Sequence, residues 1–349
     1  MTEYLLTTEN LHNLVRQLIA EATIYAPINT AGRKYLEIVS PNNIDRIDLD
    51  GFRTVDTFKT AVFKISEQVA RYFGQEEAAP IKKQVFLGIR ACDLEGLSIG
   101  DRVFLEGDIT DPFYKRLREN LLLISADCND CGPTCFCTVV KGNPYPTRFF
   151  DLNLSPVDEG FIVEAKSEPG RALVDKYREY FNSPSDYMTR EKNNNRREII
   201  KKIANVNAAF HLRLDLTQTH KANLENKIWK TLTKDCVECS ACNFACPSCT
   251  CFLLLDGAAG PAANSRHKVW DACLKNGYSE VAGGANSRPR LYERLQNRYH
   301  CKFDYSFERL GRFTCVGCGR CIDGCAGNID MRKVFVELER QAPLTAKLE

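Results

Sequence analysis

The stretch Cys236-Val-Glu-Cys239-Ser-Ala-Cys242-Asn-Phe-Ala-Cys246-Pro247 has the spacing C-x2-C-x2-C-x3-C-P, and Cys315, Cys318, Cys321 and Cys325 repeat it. This is the ligand run of a 4Fe–4S cluster. Three thiolates two residues apart wrap one cubane, and the fourth cysteine ligates the other cluster of a pair. The spacing therefore assigns Cys236, Cys239, Cys242 and Cys325 to one cluster and Cys315, Cys318, Cys321 and Cys246 to a second. Structural zinc is the competing reading, because paired C-x2-C units also make zinc sites. Zinc would use two pairs and leave a third cysteine of each run idle, so two complete runs favour iron–sulfur.

The chain of 349 residues is 44% hydrophobic and 26% charged, with a net charge of +2. That composition is globular and long enough for two or three domains. The near-neutral balance gives no argument for nucleic acid. The first residues, Met1 to Asn10, lack a basic segment followed by an apolar core, so no signal peptide is read there. No apolar run reaches the roughly 18 residues of a membrane span. A cytoplasmic protein is expected. Without a secretory signal, the seventeen cysteines point to metal rather than to disulfides.

Residues 1–185 read as an α/β domain. Leu11, Leu14, Val15, Leu18 and Ile19 mark an amphipathic helix after a cap at Thr8. Tyr35–Val39 alternates like a strand. Phe58 to Phe73 reads as a second helix, followed by a solvated turn at 76–80. Gln84–Arg90 and Leu121–Ala126 are short apolar runs of buried-strand length. Asp93 is placed as the cap of a helix running to Phe104. Further strands are expected at 148–152 and 161–165, and a helix at 171–182.

The two buried strands each deliver a cysteine at the carboxyl end, Cys92 and Cys128, where open α/β sheets hold ligands. Cys128, Cys131, Cys135 and Cys137 fall within ten residues bent by Gly132 and Pro133. Three readings stay open for this loop. It is a third metal site, iron–sulfur in kind, built from Cys92 with some of these four. Alternatively it holds buried thiols packed as small hydrophobes, or a redox disulfide between Cys128 and Cys131.

Residues 186–222 read as a helical connector. Its basic residues Lys192, Arg196, Arg197, Lys201 and Lys202 are taken as a solvated face, with docking of a partner as the sharper alternative. Residues 223–349 form the cluster domain, helical between its cysteines. Trp229 is expected in a core, 258–263 and 283–286 in turns, and 266–271 in a helix. The glycines at 283 and 284 follow no strand and make no dinucleotide fingerprint. His267 reads as a hydrogen-bonding residue rather than a ligand. Cys249, Cys251 and Cys273 read as thiols lining the cofactors and tuning them, not as ligands. Cys301 belongs to no motif.

Phe86-Leu-Gly-Ile-Arg-Ala-Cys92-Asp-Leu94, Asp101-Arg-Val-Phe-Leu105 and Thr134-Cys-Phe-Cys137 resemble the amino-terminal half of the sulfhydrogenase beta subunit family, which also takes in the A component of anaerobic sulfite reductase. Cys246-Pro-Ser-Cys-Thr-Cys-Phe252, Trp270-Asp-Ala-Cys273 and Cys315-Val-Gly-Cys-Gly-Arg-Cys321 resemble its carboxyl half. Cys325-Ala326 departs from it where a proline often follows, and Cys131 is no part of the pattern. The resemblance implies an all-α, α-helical ferredoxin-like carboxyl domain with two 4Fe–4S clusters. It implies an electron-transfer subunit of anaerobic metabolism beside a flavin-containing, NAD(P)H-oxidising subunit. On its other side stands a terminal oxidoreductase: a hydrogenase, a sulfite reductase or a heterodisulfide-reductase-like protein. The chain itself is expected to bind neither flavin nor NAD. Two other classes remain: a catalytic subunit that reduces a substrate at a third cluster near Cys92, and a docking subunit with structural clusters.

Overall fold

The apolar runs Gln84–Ile89 and Leu121–Ala126 pair in parallel, Val85 opposite Leu122 and Leu87 opposite Ile124. They form the middle of a mixed sheet in this computed structural model, which describes residues 3–72, 81–257 and 264–341. The strands are β1 (Glu3–Leu6), β2 (Thr23–Thr30), β3 (Arg33–Ile38), β4 (Ser66–Arg71), β5 (Gln84–Ile89), β6 (Leu121–Ala126), β7 (Leu152–Val157), β8 (Gly160–Ala165), β9 (Phe252–Asp256) and β10 (Ser265–Trp270). Seven of them run in the order β1-β8-β7-β6-β5-β2-β3. The central β2, β5, β6 and β7 are parallel, and antiparallel strands close both edges. Both faces of the central strands are covered, which is why they read as continuous apolar runs.

The chain divides into two units. The amino unit takes residues 3–63 and 81–205, and the carboxyl unit takes 64–72 and 206–341. The amino unit is α/β as its sequence indicated. Leu14 and Leu18 of the helix Thr8–Glu21 join Ile24, Leu87, Ile124 and Leu154 of the sheet in one core. That helix is capped by Thr7, not Thr8: the Thr7 hydroxyl accepts from Asn10 N–H at 3.2 Å. Asp93 is likewise no cap: the helix Ala91–Phe104 starts earlier and buries Asp93 in its first turn. The strand expected at 148–152 starts at Leu152, and the helix expected at 171–182 spans Glu168–Lys176.

Residues 186–222, read as one connector, divide between the units. The helix Asp186–Val206 lies in the amino unit up to Asn205. Two of its cations are not solvated. Lys192 is 4% exposed and pairs with Glu3 and Glu164. Arg196 reaches Asp127 at 2.7 Å and Glu164 at 2.6 Å. Burial of these charges is tolerated because each is paired.

The carboxyl unit is not all-α. It contains a three-stranded antiparallel sheet in the order β4-β10-β9. Two expected helices are replaced by its strands: 58–73 becomes a 3-10 turn, Phe58–Ala61, followed by β4, and 266–271 becomes β10. Pairing decides this, because Lys268 of β10 meets Glu67 of β4 at 3.2 Å with both side chains buried. Elsewhere the unit is helical. Trp229, Tyr299, Phe303 and Phe335 interlock as its aromatic core, with centroids 4.7–6.2 Å apart. The turn expected at 258–263, the turn at 76–80 and the end of the 58–73 segment lie outside the described residues.

Candidate metal centre

Each cysteine run folds into a loop with two left-handed residues. In the first run these are Glu238 (φ 55°) and Ser240 (φ 60°). In the second they are Gly317 (φ 64°) and Gly319 (φ 77°) at the same two places in the spacing. A one-turn helix follows each, Ala241–Phe244 and Arg320–Asp323. Left-handed backbone at alternate positions curls the loop so that three thiols face inwards. Glycine does this without strain, and Glu238 and Ser240 do it at a cost.

The fourth cysteine of each run crosses over. Gly327, two residues past Cys325, lies so close to the chain before Cys236 that a Cβ there would stand 2.1 Å from the Asp235 carbonyl oxygen. Cys236, Cys239, Cys242 and Cys325 accordingly line one pocket, together with Cys321, Arg298 and Met331. Burial pushes the Cys236 thiol up, with Cys325 and Cys239 adding to it. Cys242 is pushed up by burial and then by Cys236 and Cys325, against the pull of Arg298. The Ile329 N–H donates to Cys325 Sγ at 3.3 Å.

Cys315, Cys318, Cys321 and Cys246 form the second set. The Cys315 thiol is pushed up to about 12, by burial first and by Cys246 and Cys318 as well. Cys321 is pushed up by burial, and Cys318, Cys315 and Cys246 act in the same direction. Cys246 is held low, first by a hydrogen bond from Cys249, with Lys302 and Arg298 supplying positive charge. The eight run cysteines thus lie in two neighbouring groups, with the fourth cysteine of each run beside cysteines of the other. Four thiols gathered in this way fit a cation-rich cluster, which relieves the repulsion of its thiolates.

Arg298 was missed in the sequence. Its guanidinium is 3% exposed, yet it donates to Cys242 O at 2.9 Å and Cys249 Sγ at 3.4 Å. Burial works against its charge, but Cys242, Cys249, Cys321 and Cys246 more than restore it. These include cysteines of both sets. Lys302, equally buried, holds Ser248 Oγ at 2.8 Å and faces Cys246 and Cys249. Helical spacing places Arg298 and Lys302 four apart, a sequence signal of a shared face. Nothing local says that the face meets thiols.

In the amino unit, β5 and β6 are adjacent and parallel, and they carry Cys92 and Cys128 just past their carboxyl ends. The Cys128 thiol is pushed up to about 12 by burial, opposed by Arg90 and reinforced by Cys135. Cys137 is pushed up by burial and by Cys128 and Cys135. Cys92 Sγ lies 4.0 Å from Asp93 Oδ2. Cys131, like Cys128, packs against the cluster of Cys137, Ile199 and Ile203, and it also faces Asp130 and Lys202. Arg90 fixes the loop bases, donating to the carbonyls of Asp127, Leu49 and Asp50. Elsewhere, His267 bonds Ser265 Oγ through Nε2 at 2.9 Å, and Cys301 is exposed.

Two crossed thiol sets on paired loops define an iron–sulfur dicluster protein, an electron-transfer class. Residues 235–329 match the 4Fe-4S dicluster domain family. The chain is 30% identical over 326 residues to the sulfhydrogenase 2 subunit beta of Pyrococcus furiosus, covering 90% of this chain and 92% of that one. It belongs to the sulfhydrogenase beta subunit family.

Proposed function

We propose that this chain is the iron–sulfur relay of a multi-subunit, sulfhydrogenase-like oxidoreductase, passing single electrons between a terminal oxidoreductase and a flavin-containing NAD(P)H-oxidising subunit. The reading is supported by Arg298, which donates to Cys242 O and Cys249 Sγ and faces Cys246 and Cys321, so that cysteines of both sets meet one buried cation. Cys236, Cys239, Cys242 and Cys325 hold the first 4Fe–4S cluster, and Cys315, Cys318, Cys321 and Cys246 the second. Cys92, Cys128, Cys135 and Cys137 hold a third in the amino unit, with Cys131 beside it. When bound, the clusters supply one-electron redox chemistry. The chain supplies thiolates, N–H donors to sulfur, buried cations and exclusion of water. No acid, base or nucleophile is required of it. The nucleotide chemistry belongs to the partner, and the complex works in the cytoplasm. Among the described residues no helix is long and apolar enough to cross a membrane.

A second reading is favoured by the position of Cys92 and Cys128 at strand carboxyl ends, where α/β sheets bind substrates. There the third centre reduces a substrate itself. Cys239→Ser separates the readings. In the relay it removes one cluster signal and stops coupled turnover of the whole complex; in the second reading, substrate reduction at the third centre with an artificial donor continues. Coupled turnover that survives Cys239→Ser contradicts the relay.

A further inference from the structure

The chain has five histidines, and two of them meet in the carboxyl unit. His220 lies near the end of the helix Leu216–Lys221, and His300 ends the helix Leu291–His300. The chain then widens into a π turn, Cys301–Tyr305, which carries Asp304. Turns of this kind collect at functional sites. Thr217 Oγ1 donates to Phe303 O at 2.7 Å and so holds the short helix against the turn. The imidazoles of His220 and His300 stand edge to face with centroids 4.3 Å apart, and His300 Nδ1 lies 3.2 Å from Asp304 Oδ2. One ligand atom from each of the three residues lies within 4.8 Å of the other two. Ligand atoms around a tetrahedral zinc ion stand about 3.4 Å apart, given bonds of about 2.1 Å, so the His300–Asp304 pair already has that spacing.

His220 is the residue that calls for a ligand. It is fully buried, and among the described residues neither of its ring nitrogens has a hydrogen-bond partner. Buried polar groups are paired as a rule, and an orphan of this kind requires a cause. Without a partner the buried ring is neutral, and a neutral imidazole offers a metal its lone pair. Asp304 already has a cation beside it, since Lys221 Nζ lies 3.2 Å from its Oδ1. That ammonium leaves His220 unserved, and it has a second acid, Glu308, at 2.8 Å to retain when Asp304 is taken up otherwise.

We infer that His220, His300 and Asp304 hold a single divalent transition-metal ion that fastens the helix Leu216–Lys221 to the π turn. Two imidazoles and a carboxylate, with water as a fourth ligand, suit zinc and ferrous iron alike. The ion satisfies His220 and replaces Lys221 as the counter-charge of Asp304. The exposed side chain of Lys221 leaves a way in from solvent. The site uses no cysteine, so its failure is distinct from failure of the relay.

Zinc is the probe, because cluster iron would mask a mononuclear iron. The full chain with its clusters loaded is exposed to zinc chloride and desalted, and bound zinc is read by elemental analysis and by X-ray absorption at the zinc edge. About one zinc per chain is expected, ligated by nitrogen and oxygen at about 2.0–2.2 Å. His300→Gln should lose it and keep the electron paramagnetic resonance of the run clusters. No retained zinc in the parent chain, a zinc shell containing sulfur at about 2.3 Å, or zinc retained in His300→Gln overturns the inference. A second variant lies at an exposed position and does not depend on tolerance of a change at a ligand. Lys221→Met removes the competing cation and is expected to tighten zinc binding about two- to fivefold; unchanged or weaker binding overturns the inference as well.

Discussion

Gly327 is the residue on which the crossing of the two runs depends. Its backbone passes against Asp235 and Cys236 where no side chain fits, so that Cys325 reaches the first run's set. Gly327→Ala must push the two segments apart. Overpacking of this kind costs about 1–3 kcal/mol, and the strain falls on the first cluster site. The variant should therefore melt lower and lose iron corresponding to one cluster, the set of Cys315, Cys318 and Cys321 keeping its own. A melting point and iron content equal to those of the unsubstituted chain would refute this role. Arg298 acts at the same scale by charge. Removing a buried cation beside a cluster disfavours adding an electron to it. Arg298→Met should lower the midpoint potentials of both run clusters by on the order of 50–100 mV, measured by a redox titration. An unchanged potential in either cluster would show that Arg298 does not serve both.

At the scale of elements, the small sheet β4-β10-β9 rests on a buried charge pair. Lys268 and Glu67 are 3% and 9% exposed and 3.2 Å apart. Breaking one side of such a pair strands the other charge and costs about 3–5 kcal/mol. Lys268→Met should lower the denaturation midpoint accordingly, whereas Lys268→Met/Glu67→Leu should recover much of the loss. A single variant as stable as the parent would contradict the account. This sheet was not legible in the sequence. Val62, Ile65 and Val69 share a helical face as readily as they suit a strand, and the partner β10 lies far along the chain, so pairing overrode the local period. Strands β5 and β6 were legible, because both faces are buried and their runs are unbroken. The charge run at 192–202 misled in another way: Lys192 and Arg196 are turned inwards by Glu3, Asp127 and Glu164, acids remote in sequence.

Over the whole molecule, the dicluster domain at 235–329 was the most legible part, since its cysteines come in short runs whose spacing suits a cubane. The residues that surround them were not. Arg298, Lys302 and Asn243 come from helices and loops whose closeness to sulfur arises only on folding. The chain carries thiol groups in both of its units, as a multi-centre redox protein requires. The central claim is that two 4Fe–4S clusters stand side by side in the carboxyl unit, with ligands exchanged between the runs. Electron paramagnetic resonance of the dithionite-reduced chain, taken with Cys325→Ser alongside, tests it most directly. The account predicts two magnetically interacting clusters in the parent, and in the variant the loss of the cluster held by Cys236, Cys239 and Cys242. Two non-interacting signals in the parent, or loss instead of the cluster held by Cys315, Cys318 and Cys321, would contradict it.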